Sequence, residues 1–536
     1  MKKILALGCA VLLLASLLSG CTVGKKPYVP HGSGLTSDEP TEKPQTTDPT
    51  EEPELDIAMV YNATASENPF LCNDPGNRAW MSLIYQGLFA VDSNYDSWPI
   101  LCKSYWVSSD MMTWSFYIHD NVTFSDGTPL KPEDVLASLK YAMECDMYRG
   151  RFHQVRSLYL TTDGAVTFKL YTPYENFAML LDVPILRADQ LQLIRPLGTG
   201  PYRLDNSVGG MRLVRRNDWW SSYSNLPINA SSITLLSETK PTAIRDSFEL
   251  GNIQVSCADP GDRDYAPYRS DYELWDCENG EFLYLTCNKG SWLFETPTIR
   301  TVMTHAINRE ALVEEFYDGF AHAATLAASP LSPYYDTMMA ARYEYDQEIF
   351  NQRITEAKVA YNTVILLVNG GDPRRIQMAK RIEAMLEQSG LIVDVEAYTG
   401  YDYRYKLERG EFDLHLGKTK LSSTMDLSSF FSAEGGLNFG NLANPAINNL
   451  CLDALANRGN YYNLLEEVAE DGSLIPILFG SYAVYCQRGM VANLAPSRDN
   501  VFYYNMGISM DEILLDTEPN TTPLPEPETT APTEAE

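Results

Sequence analysis

The segment from Val364 to Tyr398 constrains the fold most, because it predicts a parallel sheet from local pattern alone. The run VILLVNG is apolar like a buried strand and ends at Gly370-Gly371. Apolar residues then recur at helical spacing as far as Gly390, a residue suited to end a helix. The run LIVDVEAY is a second strand pattern. A strand, a helix and a strand in this order indicate parallel strands with a right-handed crossover, so we predict an α/β fold.

A second patterned stretch, from Trp106 to Met143, predicts a strand, a tight turn and a helix. The run TWSFYI alternates apolar and polar side chains, as a half-buried strand does. Ser-Asp-Gly, ending at Gly127, is turn chemistry, since glycine adopts a positive φ without strain. Pro132 and the two acids after it suit the first turn of a helix.

Length and charge exclude several classes of protein. The chain has 536 residues, of which 45 % are hydrophobic, and this is too long for one core, so we expect two or three domains. Its formal net charge of −30 makes nucleic acid an unsuitable partner. The same acidity is typical of a soluble, monomeric surface protein.

The N-terminus has the pattern of a targeting segment. Lys2 and Lys3 precede an apolar run that is too short to favour a membrane span, and Leu-Ser-Gly-Cys ends at Cys21. The pattern resembles a lipoprotein signal over residues 1–20, with lipid on Cys21; a plain secretory signal is the alternative. The composition of residues 21–54 and 516–536 predicts a disordered tether and a disordered acidic tail.

Little in the sequence indicates catalysis or a bound metal. Eight cysteines remain besides Cys9 and Cys21, and they form no CxxC pair, so buried thiols and disulfides both stay open. The six histidines form no HExxH motif, and no GxSxG motif occurs. We therefore expect no cofactor, no metal and no enzyme activity.

Several stretches together resemble a known family, the family 5 extracellular solute-binding proteins. These are receptors of ABC importers for peptides, nickel and oligosaccharides. The segment from Trp106 to Met143 is similar to the family signature almost throughout, departing mainly at His119-Asp120. The runs GTGPYRL, IRTVMTHAINREALVEEF and IPILF resemble further family segments, so the likeness covers residues 55–515.

The resemblance implies a periplasmic-binding-protein fold of type II, in which two hinge crossings, expected near Asn288 and Phe479, join two lobes. The implied segments are lobe I (55–90, 191–286 and 485–515), an inserted subdomain (91–190) and lobe II (287–484).

The resemblance also implies that ligand lies between the lobes and contacts three places in the chain. The implied contacts are Asn73, Asp74, Asn288, Trp292, Ser422 and Asp426.

The last two contacts lie where the chain departs from peptide-binding members. Ser422 falls near the position of the acid that meets a peptide's ammonium group, and Lys418 and Lys420 add positive charge. Since a buried ammonium group needs a carboxylate, an anionic, amidated or non-peptide ligand is conceivable. Asp426 is the leading polar contact, and the alternative is that it caps a helix beginning near Ser428.

These observations predict a lipid-anchored receptor that captures a solute, most simply a peptide, and delivers it to ABC permease subunits. We expect it on the outer face of the cytoplasmic membrane, attached through Cys21. A peptide-sensing receptor is the alternative within the fold, and an extracellular hydrolase is the alternative outside it.

Overall fold

The computed structural model describes residues 57–525 except positions 208, 263, 270, 492, 493 and 499. Within these residues the chain forms seventeen strands: β1 Ile57–Tyr61, β2 Phe89–Val91, β3 Ser97–Pro99, β4 Cys102–Val107, β5 Thr113–Ile118, β6 Val155–Leu160, β7 Val166–Leu170, β8 Tyr202–Asp205, β9 Arg212–Arg215, β10 Ser232–Ser237, β11 Val255–Ala258, β12 Glu273–Cys287, β13 Ala321–Ala323, β14 Thr363–Asn369, β15 Ile392–Tyr398, β16 Leu414–Lys420 and β17 Leu474–Cys486.

The same described ranges contain thirteen α-helices: α1 Pro75–Met81, α2 Pro132–Glu144, α3 Pro241–Glu249, α4 Pro297–Ala306, α5 Arg309–Tyr317, α6 Thr337–Ala340, α7 Gln347–Glu356, α8 Pro373–Leu386, α9 Gly400–Arg409, α10 Ser428–Phe431, α11 Pro445–Ala456, α12 Tyr461–Asp471 and α13 Met510–Ile513.

One large sheet passes through the described chain. Its strands lie in the order β15-β14-β16-β12-β17-β11-β1-β10-β9-β8, with β13 paired to β17. At one end β14 is parallel to β15 and β16, and at the other β1 is parallel to β10 and β11. The strands between these two parallel regions pair antiparallel. The sheet is therefore mixed, with one parallel unit in each lobe.

The strand–helix–strand unit predicted from Val364 to Tyr398 is confirmed. Strands β14 and β15 pair in parallel along their whole length, from Thr363 with Ile392 to Asn369 with Tyr398. The helix between them, α8, is capped by Asp372, whose carboxylate accepts the Arg375 N–H. The turn after α8 ends at Gly390, whose φ of 88° needs glycine.

The predicted strand, turn and helix from Trp106 to Met143 are also confirmed. They appear as β5, a turn in which Gly127 has a φ of 83°, and α2. Asp134 in the first turn of α2 accepts the Lys131 N–H and so caps the helix. Strand β5 belongs to a four-stranded antiparallel sheet, in the order β4-β5-β7-β6, that lies in the inserted subdomain.

The two longest strands, β12 and β17, run through both lobes and pair with each other. The β12–β17 ladder is irregular between Glu278 and Phe282. From Glu281 onward β12 also pairs with β16 of lobe II, before the predicted lobe boundary at residue 286. These two strands are the hinge crossings, and the predicted crossing near Phe479 falls within β17. The exact domain boundaries stay predictions.

A buried ion pair lies at the irregular part of this ladder. The Glu278 carboxylate accepts hydrogen bonds from Tyr95, Ser329 and Arg498, and the Arg498 Nη1 lies 3.3 Å from Glu278 Oε1. The two charged side chains are only 4 % and 5 % exposed. Arg498 also donates to the carbonyl of Leu421 in lobe II, at 2.9 Å. Glu278 thus connects the hinge to the inserted subdomain through Tyr95 and to lobe II through Ser329. Through Arg498 it also contacts the C-terminal segment, by which we mean the described residues that follow β17.

The C-terminal segment contacts both outer strands of the four-stranded sheet, although composition predicts disorder from residue 516. Leu515 donates its N–H to Tyr105 of β4, and Leu524 donates to Leu160 of β6, each at 2.8 Å. The Thr162 N–H donates to Thr522 at 3.1 Å. The prediction is corrected for residues 516–525, because main-chain hydrogen bonds do not depend on side-chain composition. Residues 526–536 lie outside the described ranges.

Other predictions concern residues that the structure does not describe. The signal segment, Cys21 and the tether all lie before residue 57. All eight cysteines of the described chain are present as thiols. The described residues contain no helix long and apolar enough to cross a membrane. Nor do they contain a group of three or more His, Cys, Asp or Glu side chains placed to hold a metal ion.

Replacing Glu278 should destabilise the fold strongly. Glu278→Ala leaves the Arg498 guanidinium buried without its carboxylate, so we expect the free energy of unfolding to fall by about 3–5 kcal/mol. The matched control is Glu356→Ala, whose partner Arg353 is 58 % exposed; it should cost about 1 kcal/mol or less. Urea unfolding measures both, and equal small losses would show that the buried pair contributes little.

Candidate functional site

The carboxyl ends of three parallel strands meet in lobe I. Strand β1 lies between β11 and β10 and is parallel to both, so the chain passes over β1 when it continues from β10 through α3 to β11. In open α/β sheets such a switch in strand order leaves a crevice beyond the carboxyl ends, and ligands bind there. The structure has a cavity of about 90 Å³ at this place.

Four acidic residues line this cavity, which we call the carboxylate pocket: Asp74, Glu238, Asp259 and Asp262. Tyr265 and Tyr268 form an aromatic part of its wall, and no lysine or arginine is among the described residues that line it. The carboxylate pocket therefore carries strong negative charge next to apolar surface, which suits a cationic group.

Local hydrogen bonds fix the acids in place. Asp74 caps α1 by accepting the Asn77 N–H at 2.8 Å, and its other oxygen accepts from Asn62 at 2.7 Å. Glu238 accepts the Thr239 N–H at the start of α3, at 2.8 Å. Asp259 accepts the Gly261 N–H at 2.7 Å. Each of these three acids thus lies next to the end of a helix or strand, and a backbone N–H group holds its carboxylate.

Lobe II contacts the carboxylate pocket at Gly261. A Cβ added there would lie 2.5 Å from Asp259 Oδ1, 2.7 Å from Arg374 Nη1 and 3.1 Å from the Tyr317 ring. Burial and the neighbouring Glu281 carboxylate raise the pKa of Asp259 to about 6. Arg374 and Tyr317 of lobe II therefore lie next to the loop from Asp259 to Asp262, and the Asp259 carboxyl changes its charge near pH 6.

The lysine at Lys418 does not bring net positive charge to this contact. Its Nζ lies 2.7 Å from the Glu281 carboxylate and 3.9 Å from Asp372. Glu281 also accepts from the Tyr317 hydroxyl at 3.3 Å. The positive charge that the sequence indicated at Lys418 is thus matched by acids of the protein itself.

A second cavity, of about 110 Å³, lies at the other end of α1, and we call it the arginine cavity. Its wall includes the side chains of Arg78, Arg151, Arg498 and Asp182. Arg151 forms an ion pair with Asp182, and Arg498 is paired with the buried Glu278, so acids of the protein match two of the three arginines. Pro75 and Gly76 at the start of α1 line the carboxylate pocket, whereas Arg78 lines the arginine cavity. Helix α1 therefore separates a cavity that acids line from one whose wall contains three arginines and one acid.

The predicted contacts Asn73 and Asp74 lie at the start of α1. Asp74 lines the carboxylate pocket, whereas Asn73 is exposed on the loop before it. The binding roles of both residues stay predictions.

The predicted contacts Ser422 and Asp426 lie in the loop between β16 and α10, where protein groups already engage them. The Asp426 side chain is 5 % exposed and accepts from the Ser428 N–H at 2.8 Å and from His153 at 2.9 Å. The Ser422 hydroxyl lies 2.9 Å from the Thr424 hydroxyl. These contacts favour the alternative in which Asp426 fixes the start of α10.

The predicted contacts Asn288 and Trp292 lie away from the hinge. Asn288 directly follows β12. The last residue of β12, Cys287, pairs with the first residue of β16, whereas Glu281, at the hinge, pairs with the last residue of β16. Since a strand rises about 3.4 Å per residue, Asn288 is about 20 Å from the hinge end of β12. Its amide donates to the carbonyls of Gly410 and Phe412, and Trp292 is 62 % exposed. The structure does not bring these two residues to either cavity.

A comparison of the sequence with models of known protein families shows which family the chain belongs to. Residues 98–438, more than half of the chain, match the middle region of the bacterial extracellular solute-binding proteins of family 5. The chain belongs to this family.

Curated relatives and solved structures agree with the assignment. The glutathione-binding protein GsiB of Salmonella typhi is 26 % identical over 300 residues, or 52 % of this chain and 56 % of that relative. The chain thus spans just over half the length of the curated relatives it matches.

Three solved structures have the same fold, the type II fold with two lobes that the sequence predicts. AppA of Bacillus subtilis with a nonapeptide has a TM-score of 0.58, 19 % identity and coverage of 84 % and 98 % of the two chains. The ABC transporter substrate-binding protein CtaP of Listeria monocytogenes has a TM-score of 0.64, 17 % identity and 84 % and 97 % coverage. NikA of Brucella suis with Fe(III)-EDTA has a TM-score of 0.64, 17 % identity and 84 % and 100 % coverage.

Sequence reasoning about this family 5 chain missed Asp259 and the arginine cavity. One local signal existed for Asp259, since Asp-Pro-Gly-Asp follows an apolar strand pattern directly. Its relevance depends on the neighbouring strands, and β11 pairs with β1 and β17, which are far away in sequence. The arginines come from distant parts of the chain, and no motif connects them.

Neutralising Asp426 should lower stability, and it should not remove a direct contact with the solute. Asp426→Asn removes the charge that faces His153 in a buried contact, so we expect unfolding to become easier by about 3 kcal/mol or more. Urea unfolding and titration with a bound solute measure the two effects. Asp453→Asn, at an exposed acid of α11, is the control. Weaker binding with unchanged stability would instead support a direct contact between Asp426 and the solute.

Proposed function

We propose that this chain is the substrate-binding component of an ABC importer and captures a peptide-like solute between lobe I and lobe II. The observation that carries this proposal is the carboxylate pocket, which lies at the switch in strand order, next to the loop where Gly261 approaches Arg374 and Tyr317 of lobe II. The family supports the role of a receptor. One relative is named for glutathione and one similar structure contains a nonapeptide, and both support a peptide-like solute.

The charges around α1 indicate which solute groups are bound. The four carboxylates of the carboxylate pocket fit an ammonium group, in place of the acid that is missing near Ser422. Arg78 in the wall of the arginine cavity is the group that we propose to bind a carboxylate, because guanidinium groups bind carboxylates at two points. A peptide carries both groups. Helix α1, with seven residues, is about 10 Å long, which is the length of about three extended peptide residues.

The hinge strands supply the movement that such a receptor needs. Strands β12 and β17 are the connections that bend when the lobes close around a solute. Asp259 of lobe I and Arg374 of lobe II lie on the two sides of the contact at Gly261. A solute that binds both sides stabilises the closed arrangement in proportion to its differential affinity.

The sequence further supports a lipid anchor on Cys21, with residues 21–54 as a tether on the outer face of the cytoplasmic membrane. In this arrangement the receptor delivers its solute to permease subunits in the same membrane. The chain acts as a monomer and needs no cofactor.

Binding of a peptide should depend on the charge of Asp259. We expect a tripeptide, selected from a library by native mass spectrometry, to bind about tenfold more tightly at pH 7 than at pH 5. The reason is that the Asp259 carboxyl, whose pKa is raised to about 6, loses its proton in this range while the peptide ammonium stays charged. Asp259→Asn should weaken binding at pH 7 and remove most of this pH dependence. Isothermal titration calorimetry measures both.

Peptide analogues test the two cavities separately. Acetylation of the N-terminus should weaken binding to the wild type, and should matter less in Asp259→Asn. Amidation of the C-terminus should weaken binding to the wild type, and should matter less in Arg78→Gln. Asp246→Asn, at a 58 % exposed acid of α3, is the control and should bind as the wild type does. Failure of every peptide in the library to bind would overturn the proposal.

The lipid anchor is tested independently. Cys21→Ser removes the thiol that carries lipid, so we expect the protein to leave the membrane fraction and to lose incorporation of labelled fatty acid. Fractionation and labelling of cells that express either form measure this. Continued membrane partition with lipid labelling would show that Cys21 is not the anchor.

A further inference from the structure

An ion pair joins the inserted subdomain to lobe II. His153 follows a short helical turn of the inserted subdomain, and Asp426 lies in the loop between β16 and α10. The His153 Nε2 lies 2.9 Å from Asp426 Oδ2 and 2.7 Å from the Ser428 hydroxyl. The Asp426 side chain is 5 % exposed and that of His153 is 32 % exposed, so the pair is largely shielded from water.

The hydrogen bonds around His153 indicate its charged form. Its Nδ1 lies 3.0 Å from the carbonyl oxygen of Gly150, which only accepts. Its Nε2 faces the Asp426 carboxylate, which also accepts when ionised. Each ring nitrogen therefore faces an acceptor, and only the imidazolium, which has two N–H groups, can donate to both.

Further hydrogen bonds cross the same contact between the inserted subdomain and lobe II. The Tyr174 hydroxyl lies 2.6 Å from the Thr424 hydroxyl, in the loop that contains Asp426. The Glu175 N–H donates to the Leu455 carbonyl at 2.8 Å, and the Arg458 N–H donates to the Glu175 carboxylate at 2.7 Å. Among these contacts the His153–Asp426 pair brings opposite charges from the two sides together.

We propose that the His153–Asp426 pair is a latch that holds the inserted subdomain against lobe II and thereby favours the closed arrangement of the lobes. The loop from Leu421 to Ser428 then makes its charged contact with His153 of the same chain, and the solute is left to the cavities beside α1. The latch is independent of the solute's identity.

The pH range of the latch follows from its two groups. Burial alone would lower the pKa of His153, but the Asp426 carboxylate raises it to about 9. Because this pKa is raised above its ordinary value of 6.5, the latch is complete below pH 6.5 and is lost as the pH rises through about 9. His153 likewise holds the pKa of Asp426 below its ordinary value, against the effect of burial, so the latch also opens in strong acid.

Other titratable groups near the pair do not change charge in the same range. Tyr174, Tyr461 and Cys451 face Asp426 from the inserted subdomain, α12 and α11, and burial raises the pKa of each far above 9. Arg151, two residues before His153, is ion-paired with Asp182. A transition near pH 9 at this contact therefore reports on His153.

Hydrogen exchange of two backbone amides tests the latch directly. The Glu175 and Arg458 N–H groups donate across the contact, so they exchange when the inserted subdomain separates from lobe II. For the full chain at pH 7, we expect these amides to exchange at least about tenfold faster in His153→Gln than in the wild type. This factor corresponds to a loss of about 1.4 kcal/mol from the free energy that favours the closed contact. Amides of the β14–β15 ladder, which lies wholly in lobe II, should be unchanged.

The pH profile separates the latch from a general loss of stability. Relative to chemical exchange at each pH, the wild type should lose protection at these two amides as the pH rises through about 9. His153→Lys, which keeps a positive charge to a higher pH, should retain protection there, and His305→Gln, at a histidine wholly within lobe II, should follow the wild type. Unchanged protection in His153→Gln would overturn the proposal, and so would equally faster exchange throughout lobe II.

Discussion

The ladder between β12 and β17 is the constraint on which the rest of the structure depends. At one end of the ladder β17 pairs with β11 of lobe I, and at the other end β12 pairs with β16 of lobe II, so the two strands together fix how the lobes are placed. The ladder is irregular after Glu278 and again after Leu283, and the charge of Glu278 is neutralised by Arg498 from the C-terminal segment. A buried carboxylate at the bending point is stable only with such a partner. The hinge, the inserted subdomain and the C-terminal segment therefore depend on one another.

Charged side chains around this hinge lie next to side chains of opposite charge. Positive side chains at the contact between the lobes are matched by acids, as Lys418 is by Glu281 and His153 is by Asp426. The two cavities beside α1 differ in their lining, since acids line one and arginines outnumber acids in the other. This difference is the basis on which we propose that the ligand lies at α1 and not at the loop that contains Ser422.

The sequence predicted those parts of the structure that depend on local pattern. The unit from β14 to β15 and the segment from β5 to α2 were correct because strand alternation, helix spacing and capping residues lie close together in the chain. The resemblance to family 5 supplied the two-lobed fold. The carboxylate pocket could not be predicted, because it exists only where β1 pairs with β10 and β11. The partner of Asp426 could not be predicted either, since His153 is far from Asp426 in sequence and contacts this loop only in the folded chain.

The contacts of the C-terminal segment have a consequence beyond the folding of one chain. A four-stranded sheet has two outer strands, and the free N–H and C=O groups of an outer strand can recruit a strand from another molecule. In this protein Leu515 occupies part of β4 and Leu524 occupies the end of β6. Each copy therefore pairs part of both outer strands with its own chain, which leaves fewer free main-chain groups for strand addition by a neighbouring copy.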